Sequence, residues 1–258
     1  MLGLGTSVTN IDSGQIYKEL SELSNYDDLD IHFDFSILAG AHGSTVESAQ
    51  NLGQTEATNS IESSEGTPTL DKTSLSKTCV DFPNSGDTDQ ILSMAADYST
   101  TGKAMTFFIV FQWDVTSVQM LVTNGVSEAA DYIQLATGGR MKFAMAGGTA
   151  SNVITSNTNS STVDYTPAID TPVVMLIRRE AGGDSYFYHD NNIFTALLSD
   201  TGDANFTLGA LGGTTSGSLD DFNGKIGEVG LYDADIGVAN VAILLESLCT
   251  KWGINRRE

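Results

Sequence analysis

Between Leu29 and Leu38 the apolar residues Ile31, Phe33, Phe35 and Ile37 alternate with His32, Asp34 and Ser36. A period of two predicts a half-buried β-strand, because successive side chains of an extended chain point to opposite faces. Asp28, Asp30 and Asp34 share the polar face of that strand and are expected to meet water. The stretch from Lys103 to Trp113 is apolar on both faces through its middle, which predicts a strand covered on both sides. Shorter β-branched and aromatic runs, most of them bounded by Gly, Asn, Asp or Ser, predict strands at 78–82, 90–94, 118–123, 131–136, 140–144, 153–156, 173–179, 185–189, 193–197 and 206–211. Residues 39–70 carry Gly, Ser, Thr, Asn and Glu with few large apolar groups, and predict a long excursion over the surface.

The period changes at both ends of the chain. From Ile236 to Trp252, the residues Val238, Val241, Leu244, Leu245, Leu248 and Trp252 fall on one stripe at helical spacing, with Gly253 as the stop. This predicts a helix laid on a sheet. Near the start, Asp12-Ser13 can cap a helix in which Ile16, Leu20 and Leu23 share a face. Residues 1–27 therefore read as an N-terminal arm that either folds onto its own domain or docks on a neighbouring subunit. Many short strands and one firm helix indicate an all-β, antiparallel two-sheet sandwich.

A chain of 258 residues is long enough for one such sandwich. With 12 basic against 33 acidic residues the net charge is −21, a field that repels nucleic acid phosphates and anionic membranes. No apolar run reaches the roughly 18 residues of a membrane-spanning helix. Met1-Leu-Gly-Leu-Gly-Thr6 lacks the basic and apolar regions of a signal peptide, so synthesis and assembly in a cytoplasm are expected. Cys79, in a strand, and Cys249, on the last helix, read as buried thiols. His32, His42 and His189 are scattered, without zinc spacing.

Candidate chemistry is sparse. A jelly-roll glycoside hydrolase needs two carboxylates about 5–9 Å apart across the sugar bond. The Glu-x-Asp-x-Glu pattern that supplies them is missing, and Asp28, Asp30 and Asp34 are its nearest substitute. Glu228 and Asp233 lie five apart and are expected on opposite strand faces. No nucleophile elbow, phosphate loop or His-Glu-x-x-His motif occurs. No catalytic, cofactor-binding or metal residue is assigned, and the chain is expected to be non-enzymatic. Calcium is the small partner best suited to the turn aspartates Asp87, Asp89, Asp220, Asp221, Asp233 and Asp235, as a hard cation taking oxygen ligands. A glycan pocket would need exposed aromatics, and those available, Trp113, Trp252 and eight tyrosines, fall mostly at strand positions expected in the core.

Two stretches resemble the concanavalin A-like, laminin G-like family. The first runs from Ile31-His-Phe-Asp-Phe-Ser36 through Gly66-Thr-Pro-Thr-Leu70 to Val80-Asp-Phe-Pro-Asn-Ser-Gly-Asp-Thr-Asp-Gln-Ile-Leu92. The second is Phe222-Asn-Gly-Lys-Ile-Gly-Glu-Val-Gly-Leu-Tyr-Asp233 with the helix after it. The resemblance implies one jelly-roll domain over residues 28–258, closed by the late strand returning beside the first. The Trp-Asp-Lys-Ser-Gly segment that often follows the first strand in bacterial relatives is missing. The opening Met1-Leu-Gly-Leu-Gly-Thr6, joined to such a domain, resembles virion structural proteins of tailed bacteriophages. That implies a non-enzymatic virion component, either a capsid decoration or cement protein or part of a tail or fibre, located in the virion and contacting other virion proteins or copies of itself. The alternatives are a glycan-binding module for a host surface and a jelly-roll glycoside hydrolase.

Overall fold

The computed structural model describes residue 20 and residues 28–55, 58–83, 90–115, 117–124, 131–136, 140–144, 153–155, 168–182, 185–189, 192–198, 205–214 and 221–255. The arm at 1–27, apart from Leu20, lies outside the described residues, as do Asp87, Asp89 and Asp220.

Fifteen strands and one α-helix follow one another in the described residues, with a 3-10 turn at Phe35–Ile37 after the first strand: β1 (Leu29–Asp34), β2 (Ile61–Glu65), β3 (Thr69–Asp71), β4 (Cys79–Phe82), β5 (Ile91–Ser99), β6 (Met105–Trp113), β7 (Gln119–Thr123), β8 (Tyr132–Ala136), β9 (Arg140–Ala144), β10 (Val153–Thr155), β11 (Val173–Arg179), β12 (Ser185–His189), β13 (Asn192–Leu198), β14 (Thr207–Leu211), β15 (Gly224–Tyr232) and α1 (Gly237–Trp252). They form two antiparallel sheets. One has eight strands in the order β13-β12-β11-β6-β15-β4-β3, with β1 also on β15; the other has seven, β10-β9-β8-β7-β14-β5-β2. The fold is an all-β two-sheet sandwich with a C-terminal helix.

β15 organises the larger sheet. One edge pairs with β6 along its length, while the other is shared end to end by β4, opposite Gly224–Ile226, and β1, opposite Glu228–Tyr232. The first strand thus lies beside the last, which closes the sandwich. β6 is buried along its whole length. Phe107, Ile109 and Phe111 enter the core between the sheets, whereas Phe108 and Val110 face a second apolar layer beneath α1. Its unbroken apolar run has this two-sided burial as its cause.

α1 buries Val241, Leu244, Leu245, Leu248 and Trp252 in that second layer, each contributing about 1.5–3 kcal/mol before entropy is subtracted. Gly253 ends it in the left-handed conformation at φ 64°, with its N–H on the carbonyls of Cys249 and Thr250. Val238, expected on the buried stripe, is instead 51% exposed. It sits in the first turn, turned away from the layer that Ile236 and Val241 enter on either side of it. The close approach of α1 depends on Gly227, where an added Cβ would lie 2.6 Å from the Trp252 ring.

Residues 39–70 correct the expectation of a surface excursion. They contain β2 and β3, bury Val46 and Ala49, and bridge Thr45 to Thr69 and Ala49 to Ile61. Residues 51–55 run along β1. The N–H groups of Leu52, Gln54 and Thr55 donate to the carbonyls of His32, Leu29 and Asp30, and Asn51 Oδ1 accepts from His32 N at 2.7 Å. Pairing through Ser- and Thr-rich backbone supplies these short strands without the apolar alternation that marks longer ones.

Candidate functional site

β1 carries two acids that end in different surroundings. Asp34 does not face water, as the alternation suggested, but lies under α1. Glu228, directly opposite it on β15, is fully buried and accepts three hydrogen bonds. His32 Nε2 donates to Oε1 at 2.8 Å, and Lys251 Nζ and Trp252 Nε1 donate to Oε2 at 2.7 and 2.8 Å. Lys251 Nζ also donates to Asp34 Oδ2 at 2.7 Å, while Asp34 Oδ1 accepts from Ser36 N. Burial works against the charge on Lys251, but Glu228 and Asp34 outweigh it and hold its pKa above the ordinary value. Asp34 is likewise held below its ordinary value, as the Lys251 ammonium overcomes the effect of burial. A carboxylate with three buried donors beneath a helix is matched to its protein partners and closed to a substrate. This cluster joins helix to sheet.

The second acid opens on the rim. Asp30 sits at the β1 bulge between Leu29 and Ile31, where its carbonyl is gripped by Asn51 Nδ2 and Thr55 Oγ1. Its Oδ2 accepts from Asp233 N at 2.8 Å, just past the end of β15. Tyr98, near the end of β5, bonds the same carboxylate through its hydroxyl. Asp233 in turn accepts from Thr101 N on both oxygens, at 2.8 and 2.9 Å. Beside them Ser99 and Thr207 share a hydroxyl pair at 2.8 Å. Partial burial raises the pKa of Asp30, opposed by the Asp233 N–H. Burial, with the charges of Asp30 and Asp233, raises that of Tyr98. Among the described residues Tyr98 and Tyr186 are the aromatic rings left partly exposed, and Tyr186 lies beneath the Arg178 guanidinium, 4.8 Å from its centroid. The rim formed by Asp30, Tyr98, Asp233 and Thr101 therefore combines hydrogen-bonding groups with a ring that is partly exposed and partly packed on the core.

The other residues singled out by sequence are placed as follows. Asp235 forms a fork with Arg178 and caps Gly237 N, so it does not converge with Asp233. Asp221 bridges in register with Met120. Among the described residues no group of three or more His, Cys, Asp and Glu side chains is arranged to hold a metal. Trp113 and Trp252 are core residues, donating to Ala168 O and Glu228. Neither Cys79 nor Cys249 is in a disulfide, and burial, with the Asp71 charge, pushes the Cys79 thiol up to about 12. His42 is exposed and His189 buried, far apart in role from His32. Sequence reasoning missed Tyr98. The strand at 90–94 continues to Ser99 through Ala95, Ala96 and Asp97, which break the apolar alternation.

No protein family profile and no characterised protein matches the sequence. Solved structures do share its fold. Domain 4 of AbnA, a GH43 extracellular arabinanase from Geobacillus stearothermophilus solved in complex with arabinotriose, superposes with a TM-score of 0.58 at 11% identity, covering 84% of this chain and 98% of that domain. The binding domain of botulinum neurotoxin serotype D gives 0.60 at 10% identity, over 90% of this chain and 55% of the toxin domain. The binding domain of Paraclostridial Mosquitocidal Protein 1 gives 0.58 at 10% identity, over 86% and 53%. The chain thus spans about half the length of the toxin domains and nearly all of the arabinanase domain. At these identities the likeness is one of fold alone: a two-sheet β-sandwich.

Proposed function

We propose that this chain is a non-catalytic, glycan-binding β-sandwich that uses the Asp30–Tyr98–Asp233 rim. The observation that carries this reading is the division of its carboxylates. Glu228, Asp34 and Asp235 are committed to internal cations, whereas Asp30 and Asp233 stand with a partly exposed tyrosine among hydroxyls and backbone N–H groups. A ring face for the apolar side of a sugar and acceptors for its hydroxyls are what saccharide recognition requires. The similarity to an arabinanase domain holding arabinotriose, matched over nearly its whole length, supports the same reading. Asp30 and Asp233 are not a hydrolytic pair on this view, because each is tied to a backbone amide (that of Asp233 and that of Thr101).

A glycan array that includes arabino-oligosaccharides, followed by titration calorimetry, tests the proposal. Binding should be saturable and fall at least about tenfold in Tyr98→Ala, the loss of one stacking contact worth about 1.4 kcal/mol or more. No bound glycan on the array would overturn it, and product release from a bound polysaccharide would overturn its non-catalytic part. A second reading, a virion structural component of a tailed bacteriophage, rests on the resemblance of Met1-Leu-Gly-Leu-Gly-Thr6 and is compatible with the first, since a virion can carry a glycan reader. Mass spectrometry of purified particles tests it; absence from the particle would end it.

A further inference from the structure

The rim carries hydrogen-bond donors and acceptors in unequal supply. Thr101 N donates to Asp233, Asp233 N donates to Asp30, and the Tyr98 hydroxyl bonds the Asp30 carboxylate. These three hydrogens are turned onto carboxylates and away from a ligand. Ser99 and Thr207 spend one hydroxyl hydrogen on each other. An ionised carboxylate has about four lone-pair sites, so Asp30 and Asp233 keep accepting capacity after these bonds. What the rim holds out is acceptors.

Its charge has the same bias. Asp28, exposed just before β1, acts on Asp30 together with Asp233, and the charges acting on Tyr98 are Asp30 and Asp233. Arg178, Lys225 and Lys251 are held by acids of their own, away from the rim. Lys103, two residues beyond Thr101, is half-buried and has a partner of its own. A ligand carboxylate or sulfate brought here meets like charge at partial burial, where water screens it less than in bulk. A sugar hydroxyl, which can donate, meets partners. We infer, resting on the glycan-binding reading, that the rim takes uncharged saccharides through their hydroxyl donors and rejects carboxylated or sulfated ones. An acidic sugar would need a cation or an uncommitted N–H to receive its charge, and the N–H groups of Thr101 and Asp233 are already committed.

Matched ligands test this on the full-length wild type. An array pairs neutral oligosaccharides with uronic, sialylated and sulfated forms of the same backbone, and titration calorimetry follows on the tightest neutral ligand and its acidic counterpart. The neutral member should bind at least about tenfold more tightly at low salt, since like charges set against each other weaken an interface. Raising the salt to about 0.5 M should narrow that gap, because the repelling groups are partly exposed. Asp30→Asn/Asp233→Asn keeps an amide oxygen for each backbone N–H and should narrow it to below about threefold. The salt series reads the same repulsion without any substitution, so the test does not depend on how the double variant folds. Equal or tighter binding of the acidic members would overturn the inference and leave the glycan reading standing. A gap unmoved by salt and by the double substitution would overturn it as well. Binding of neither class would remove the glycan reading and this selectivity together.

Discussion

Asp30 and Asp34 lie four residues apart on one strand, and their surroundings set them to opposite tasks. Asp34 faces α1, where Lys251 compensates it and its ionised form is favoured. Asp30 faces the open rim, where partial burial without a cation disfavours its ionised form. The lesson is that an acid on a strand is defined by what covers it, not by its place in the alternation. The helix turns one polar face into a buried ion-pair network, and the rim leaves the other as a set of hydrogen-bonding groups.

The largest effect that could break this comparison is the loss of Glu228. Glu228→Ala leaves Lys251, Trp252 and His32 buried around a missing acceptor and should cost about 3–5 kcal/mol, measured by urea unfolding. A change below about 1 kcal/mol would mean that the network is not what fixes the helix. Next in size, Gly227→Ala should cost about 1–3 kcal/mol, because the new methyl meets the Trp252 ring across the helix–sheet contact. Melting temperature would show it, and recovery by Trp252→Leu in the same chain would identify the contact responsible.

The two aspartates supply the sharper pair. Asp34 has a pKa depressed from its ordinary 3.8, so its contribution is present above that pH and lost as pH falls through the folded value. Asp34→Asn should therefore cost about 1–2 kcal/mol at pH 7 and flatten the acid limb of a melting-temperature profile. Asp30 has a raised pKa, so ionising it in the folded protein is unfavourable and stability falls as pH rises through that region above 3.8. Asp30→Asn keeps an acceptor for Asp233 N and should leave stability at pH 7 equal to wild type or above it by no more than about 0.5 kcal/mol. Two losses of similar size would erase the distinction between the buried face and the rim.

Much of the fold was legible in the chain, for physical reasons that also explain the omissions. β6 and α1 announce themselves because deep burial demands an unbroken apolar run in a strand and an apolar stripe in a helix, and the Phe222–Asp233 stretch marks β15. β2 and β3 were hidden because short strands rich in Ser, Thr and Glu are held by backbone pairing. The period of two separates Ile31 and Phe33 from His32 and Asp34, but it overruns the strand: the chain turns into a short 3-10 helix at Phe35–Ile37, which leaves Ile37 62% exposed. It could not report that a helix more than 200 residues later lies across the polar side. The rim was illegible for a similar reason. Tyr98 joins Asp30 and Asp233 only after a wide bulge in β5, where Leu208 faces Tyr98 but Ala210 faces Ser93.

The segment 51–55 has a consequence for how copies of this protein can meet. By capping the carbonyls of Leu29, Asp30 and His32, it removes the open hydrogen-bonding margin that a first strand would otherwise offer. A second chain has no ladder to extend there, and strand-by-strand polymerisation is blocked on that side of the larger sheet. Any assembly built through this side must use side-chain surfaces, with the register and symmetry that those surfaces dictate.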